Sequence, residues 1–265
     1  MTRWAAIPAM VLLLTAPAVA APDAPAEAPD APATRPAGEG PRIELPDFGS
    51  REEVSGGLKW IALVTALSAA PAVLLLVTCF TRIVVVLGLF RQALATQQLP
   101  PNQVLFGLAL LMTVVVMFPV YQDVHRDAIS PYMAGQIDGP TALAAGETHV
   151  RAFMIRQLEA SGNGSDVYPF LPEDLAGRDD LTWRDVPTLS LIPGFVVSEL
   201  KIAFTIGFRI FLPFLVIDML VASVLTSMGM FMLPPVLISL PFKLLLFVLA
   251  DGWHLVVGTL MQSFG

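Results

Sequence analysis

Apolar residues fall into long blocks, and polar residues collect before and between them. Trp60 to Thr81 is a run of 22 residues without a charge, and Val104 to Tyr121 is a second such run of 18. At about 1.5 Å per residue, each is long enough for a helix to cross a hydrocarbon core of about 30 Å. Pro71 bends the first, and Pro119 falls near the end of the second. Residues 186–265 form a further apolar region and predict two long spans, roughly Ile192–Leu225 and Pro235–Gln262. Between them lies Met228-Gly-Met-Phe-Met-Leu-Pro-Pro235, an apolar loop. Irregular backbone cannot face lipid, so this loop is expected to be covered by protein or to line a cavity.

The connection Arg82–Gln103 carries two arginines, no acid, and the turn signal Pro100-Pro101-Asn102. A short Arg-bearing loop stays cytoplasmic. The chain opens with Arg3, an apolar Trp4–Leu14 and the small-residue site Ala18-Val19-Ala20, the pattern of a cleavable signal peptide over 1–20. The other reading of this segment is a retained first membrane helix. Residues 21–57 follow as a Pro/Ala-rich linker, with seven prolines among Ala, Asp and Glu within 21–47. A cleaved leader puts the mature terminus outside. The first hairpin, 58–121, then returns the chain to the outside, and 122–187 is a periplasmic insertion. Within it Thr148–Glu159 is expected to be helical and to stop at Ser161-Gly-Asn-Gly-Ser165. Residues 188–265 form a second helical hairpin with the Met-rich loop at its turn. The fold class is an all-α membrane protein of long, proline-broken helical hairpins with an acidic, partly helical extracytoplasmic insertion.

Composition agrees. Of 265 residues, 55% are apolar and only 14% charged, where a soluble domain has about 25% charged. The net charge is −7, and it is unevenly placed: residues 60–121 are net +2, 122–185 net −6, and 186–265 neutral. An acidic chain is a poor partner for phosphate backbones, so no nucleic acid is expected. The single cysteine, Cys79, excludes an intrachain disulfide and a multi-cysteine metal site.

Enzyme, cofactor and metal motifs are absent, and no cofactor is expected. His254 follows Asp251 by one helical turn, which suits a polar pair near a helix end better than catalysis. Ser198-Glu199 has no base partner nearby. The charges inside apolar segments say more: Arg82, Glu199, Lys201, Arg209, Asp218, Lys243 and Asp251 are expected to be buried, because each would be costly against lipid. Glu199 and Lys201 lie on different helix faces, so each needs a partner elsewhere. Lys243 is the expected partner of Glu199, either as glue within the chain or as a contact between subunits.

Several stretches together resemble one family. Thr78-Cys-Phe-Thr-Arg82, Leu99-Pro-Pro-Asn-Gln-Val104, Val197-Ser-Glu-Leu-Lys201, Ile210–Asp218, Leu233-Pro-Pro235, Leu240-Pro-Phe-Lys243 and Asp251-Gly-Trp253 are similar, in order and spacing, to the FliP family of flagellar biosynthesis proteins. The resemblance covers about residues 58–264 and departs from the family in 122–187 and at Cys79. It implies a core subunit of the flagellar type III protein export gate in the bacterial inner membrane and flagellar basal body. Such subunits form a ring, a homo-pentamer, through which unfolded flagellar export substrates pass. FliQ and FliR join the ring, FlhA and FlhB complete the export apparatus, and FliO assists assembly. The resemblance places the pore seal at Met230, Phe231 and Met232, with Met228 beside them. It places subunit contacts at Glu199 and Lys243, with Phe153 and Phe170 serving the same contacts. An injectisome export gate shares the core motifs. A secondary transporter or ion channel is the alternative of a different class, and the lack of an inverted repeat between 60–121 and 186–265 speaks against it.

Overall fold

The computed structural model describes residues 51–96, 99–178 and 180–264. The expected signal peptide, and the linker up to residue 50, lie outside the described residues. The linker's expected end does not hold, because residues 51–57 open the first helix. Among the described residues, all regular structure is helical. Helix α1 is Arg51–Leu76 with Pro71 inside it, followed after a three-residue break by α2, Phe80–Ala93. The break is held by Thr78, whose hydroxyl donates to the Leu75 carbonyl and accepts from the Phe80 amide.

Helix α2 is the main departure from the sequence reading. The segment from Arg82 reads as a short loop because it carries two arginines. Its apolar residues nevertheless recur at helical spacing, and Phe80, Arg82, Ile83, Val86, Leu87, Phe90 and Ala93 are all buried. The loop proper begins only at Leu94. Arg91 ties it shut by donating to the Asn102 side chain and, at 3.4 Å, to the Pro100 carbonyl. The region 58–121 therefore holds three helices, not a two-helix hairpin.

Helix α3 is Asn102–Val124, and it starts where Pro101 has already set an extended entry. It runs on through a π-helical turn, His125–Ile129, into α4, Ser130–Met133. The apolar rod is thus 32 residues long and passes the expected end at Tyr121. Helix α5, Gly139–Ala160, contains the expected Thr148–Glu159 and starts earlier. Asp138 caps it by accepting from the Thr141 amide at 3.2 Å, and Pro140 sits in its first turn. A 3₁₀ segment, Gly164–Phe170, and irregular chain lead on to Pro187.

Helix α6, Thr188–Ser227, is 40 residues long and includes Pro193 and Pro213. Leu191, Phe195, Glu199, Ala203, Ile206 and Phe214 form its buried stripe, which packs mainly on α2. Gly229 then takes φ 75°, a left-handed conformation that reverses the chain cheaply only at glycine. Helix α7, Pro235–Leu249, returns along α6, and α8, Gly252–Gln262, turns away by 65°. The bend is made by Asp251 in the left-handed region, φ 49°. At Gly252 a Cβ would come within 1.9 Å of the Phe247 ring, so the bend and its ring packing require glycine there. Lys59–Leu76, Asn102–Met133 and Thr188–Ser227 are each long and apolar enough to cross a membrane, and the bent α7–α8 pair makes a fourth if taken as one span.

Candidate functional site

Two polar centres and one apolar tip stand out on this scaffold. The first centre lies deep in the helix packing. Arg82 reaches inward from α2 and Glu199 from α6, each with a side chain only 1% exposed. The guanidinium grips the carboxylate with two parallel bonds, Nε to Oε2 at 2.8 Å and Nη2 to Oε1 at 2.5 Å. Its remaining hydrogens go to the Gln157 side-chain oxygen at 3.1 Å, the Ser263 carbonyl at 2.6 Å and the Ser263 hydroxyl at 3.1 Å. All five guanidinium donors are used. The Phe264 ring closes the remaining face, 4.1 Å from the guanidinium carbon. Gln157 donates in turn to the Phe264 carbonyl at 3.3 Å. One arginine thus joins α2, α5, α6 and the residues after α8. Removing one member of such a pair leaves a lone buried charge at a cost of about 3–5 kcal/mol.

The second centre staples the α6–α7 hairpin. Lys243 Nζ donates to Asp218 Oδ2 at 2.6 Å and to the Ala93 carbonyl at 3.1 Å, while the Ser239 hydroxyl donates to Asp218 Oδ1 at 2.5 Å. Lys243 is buried, and Asp218 is half-buried. These bonds correct the expected Glu199–Lys243 pair. Antiparallel return of α7 brings Lys243 beside Asp218, whereas Glu199 lies more than five turns further from the tip, at about 3.6 residues per turn.

The other singled-out residues divide. Phe153 is buried in edge contact with Phe195, ring centroids 6.0 Å apart, whereas Phe170 is exposed. Within the single chain, Lys201, Arg209 and Asp251 are exposed, not buried. Lys201 reaches Asp166 at 3.4 Å, and the other Asp166 oxygen is buried without a partner. Asp251 and His254 do not bond, while His149 lies 3.0 Å from Asp127. Among the described residues no cluster of His, Cys, Asp and Glu has the makings of a metal site. The residue that sequence reading underrated is Arg82. Its signal was present: a lone arginine at a core position of an otherwise apolar helical stripe.

The tip is the opposite kind of place. Met228, Met230, Phe231, Met232 and Leu233 are all exposed, with Phe231 at 76% and Met232 at 96%. Among the described residues little covers them, although they sit at the end of a hairpin fixed by Lys243, Asp218 and Ser239.

Comparison with known proteins bears on all three places. The model of the FliP family matches residues 63–260. The flagellar biosynthetic protein FliP of Bacillus subtilis is 48% identical over 222 residues, covering 84% of this chain and 98% of that protein. The protein of the same name from Treponema pallidum is 44% identical over 228 residues, covering 84% and 83%. That from Pectobacterium carotovorum is 46% identical over 229 residues, covering 83% and 86%. With the Arg82–Glu199 pair, the hairpin staple and the methionine tip all inside the matched region, the chain belongs to the FliP family.

Proposed function

We propose that the protein is a non-enzymatic core subunit of the flagellar type III export gate, several copies of which close into a ring-shaped conduit for unfolded flagellar substrates. The observation that carries this is the pairing of the family with the tip: a rigid hairpin that presents Met230, Phe231 and Met232 uncovered. The irregular backbone of this turn cannot face lipid, whereas copies around an axis would bring the tips together into a seal. Thioether side chains are flexible enough to close around ions and to yield to a passing chain. Glu199 and Lys243, enclosed within the chain, serve the ring by holding the protomer's shape. Phe153 does the same, and the exposed Phe170 meets a neighbour. A pentamer joined by FliQ- and FliR-like subunits, with FlhA, FlhB and a FliO-type assembly factor around it, fits this reading. So does a place in the inner membrane and flagellar basal body with 122–187 on the periplasmic side. The flagellar names of the relatives favour this branch over the injectisome. Native mass spectrometry of the membrane-purified protein tests the reading: a closed ring of copies is expected, and a chain that stays monomeric at every concentration overturns it.

A further inference from the structure

The last three long helices and the bend between them carry six formal charges. Four have partners inside the chain: Glu199 with Arg82, Asp218 with Lys243, and Lys201 with Asp166. Arg209 and Asp251 are left over. Both are exposed, and among the described residues neither makes an ion pair or a side-chain hydrogen bond. Each is costly where it stands, amid apolar surface that includes Leu212, Val216 and Leu220 on the same side as Arg209.

Their placement is ordered. From Asp218 to Arg209 is nine residues, and at about 100° per residue that turns Arg209 to the side of α6 opposite the one facing α7. Asp251 belongs to the other arm, in the bend that follows α7, so the two charges sit on different arms of the hairpin, with Arg209 turned away from α7. They also sit at similar levels along it. Asp218 and Lys243 mark one level, since they bond across the hairpin. Arg209 lies about 13 Å below Asp218 along α6; α7 ends at Leu249, about 9 Å below Lys243, and Asp251 follows two residues on in the bend, at about 1.5 Å per helical residue. Rotation about an axis parallel to the hairpin preserves level and can set one arm of a copy against the other arm of the next.

We propose that Arg209 of each copy pairs with Asp251 of the adjacent copy, a head-to-tail ion pair that closes the ring at mid-hairpin. This rests on the ring reading above. It supplies one cation and one anion per chain, so every pair is satisfied in a closed ring of any number of members, and the pair fixes the direction in which copies follow one another.

The test uses the full-length protein in membranes. Arg209→Asp or Asp251→Arg alone is expected to lower ring yield on native gels roughly tenfold or more, as like charges meet. The double exchange is expected to restore it, which simple loss of fold would not allow. Separately, a chain with Arg209→Cys is co-expressed with a differently tagged chain carrying Asp251→Cys and oxidised; native Cys79 is buried, and the wild type serves as control. A disulfide between the two chains is expected, and a chain carrying both substitutions is expected to give a ladder of more than two copies. If wild-type rings form but no disulfide appears and the reversals leave yield unchanged, the pairing is overturned and the ring reading stands. A ladder that stops at two copies, or a bond from position 209 to a different protein, overturns it as well. A wild-type chain that forms no ring overturns both.

Discussion

The Arg82 centre and the Met228–Leu233 tip are built on opposite terms. At the first, a residue type that avoids apolar interiors is buried at 1% exposure with every donor satisfied. At the second, residue types that prefer the interior stand in the open, Met232 at 96%. In a chain whose solvent is partly lipid, buried charge marks what holds the subunit together, and exposed apolar surface marks what the subunit does with others. Charge is a better guide to architecture here than hydrophobicity.

That contrast breaks most readily at its buried end. Arg82→Ala or Glu199→Ala is expected to destabilise the protein by about 3–5 kcal/mol, a large part of a stability of roughly 5–15 kcal/mol. The thermal transition in detergent should fall or vanish. Arg82→Lys should rescue little, since an ammonium cannot supply the paired donors. Replacing both residues by Met should recover most of the loss, and failure to recover would mean that Gln157 and Ser263 depend on the pair for their own positions.

Lys243→Ala comes next, at about 1–3 kcal/mol, because part-exposed Asp218 can recruit water when its partner is lost, whereas Asp218→Ala strands a buried ammonium and should cost more. Proteolysis or cysteine labelling should find the tip loosened while the Arg82 centre stays intact. A smaller effect belongs to Asp138. Thr141 bonds hold its carboxyl below the usual carboxylate range. Its cap is therefore fully present above about pH 4 and is lost as pH falls through the lowered value. Amide exchange in the first turn of α5 should rise there, and Asp138→Ala should remove that dependence.

Replacing Met230, Phe231 and Met232 together by Ala should change stability least, by about 1 kcal/mol or less, because Phe231 and Met232 stand largely exposed and only Met230 is partly covered. Rings should still form, while membrane conductance to small ions rises and secretion continues. Wild-type conductance in normally formed rings would place the seal elsewhere.

Much of this was readable from the residues alone. The apolar runs located the membrane helices, and Ser161-Gly162 ended α5 where it was expected to end. The tip was visible as a Met-rich turn ahead of Pro234-Pro235. The Arg82–Glu199 pair was not, because the two are 117 positions apart and spacing conveys no information at that range. Treating arginine as a loop marker hid α2, whose Ile83, Val86, Leu87 and Phe90 pattern pointed the other way. The Glu199–Lys243 misassignment has the same root: without the register of α6 against α7, any acid can be matched to any base.

Helix α6 has a consequence of its own. Forty residues make a rod of about 60 Å, twice the thickness of a typical hydrocarbon slab. To submerge it whole, the rod would have to lean about 60° from the membrane normal, beyond the roughly 0–40° that spanning helices adopt. Hydrophobic mismatch on that scale is not absorbed by local thickening of lipid. About half of α6 must therefore find apolar cover in protein and not in lipid; α2 supplies part of it within the chain, and the proposed ring would supply more.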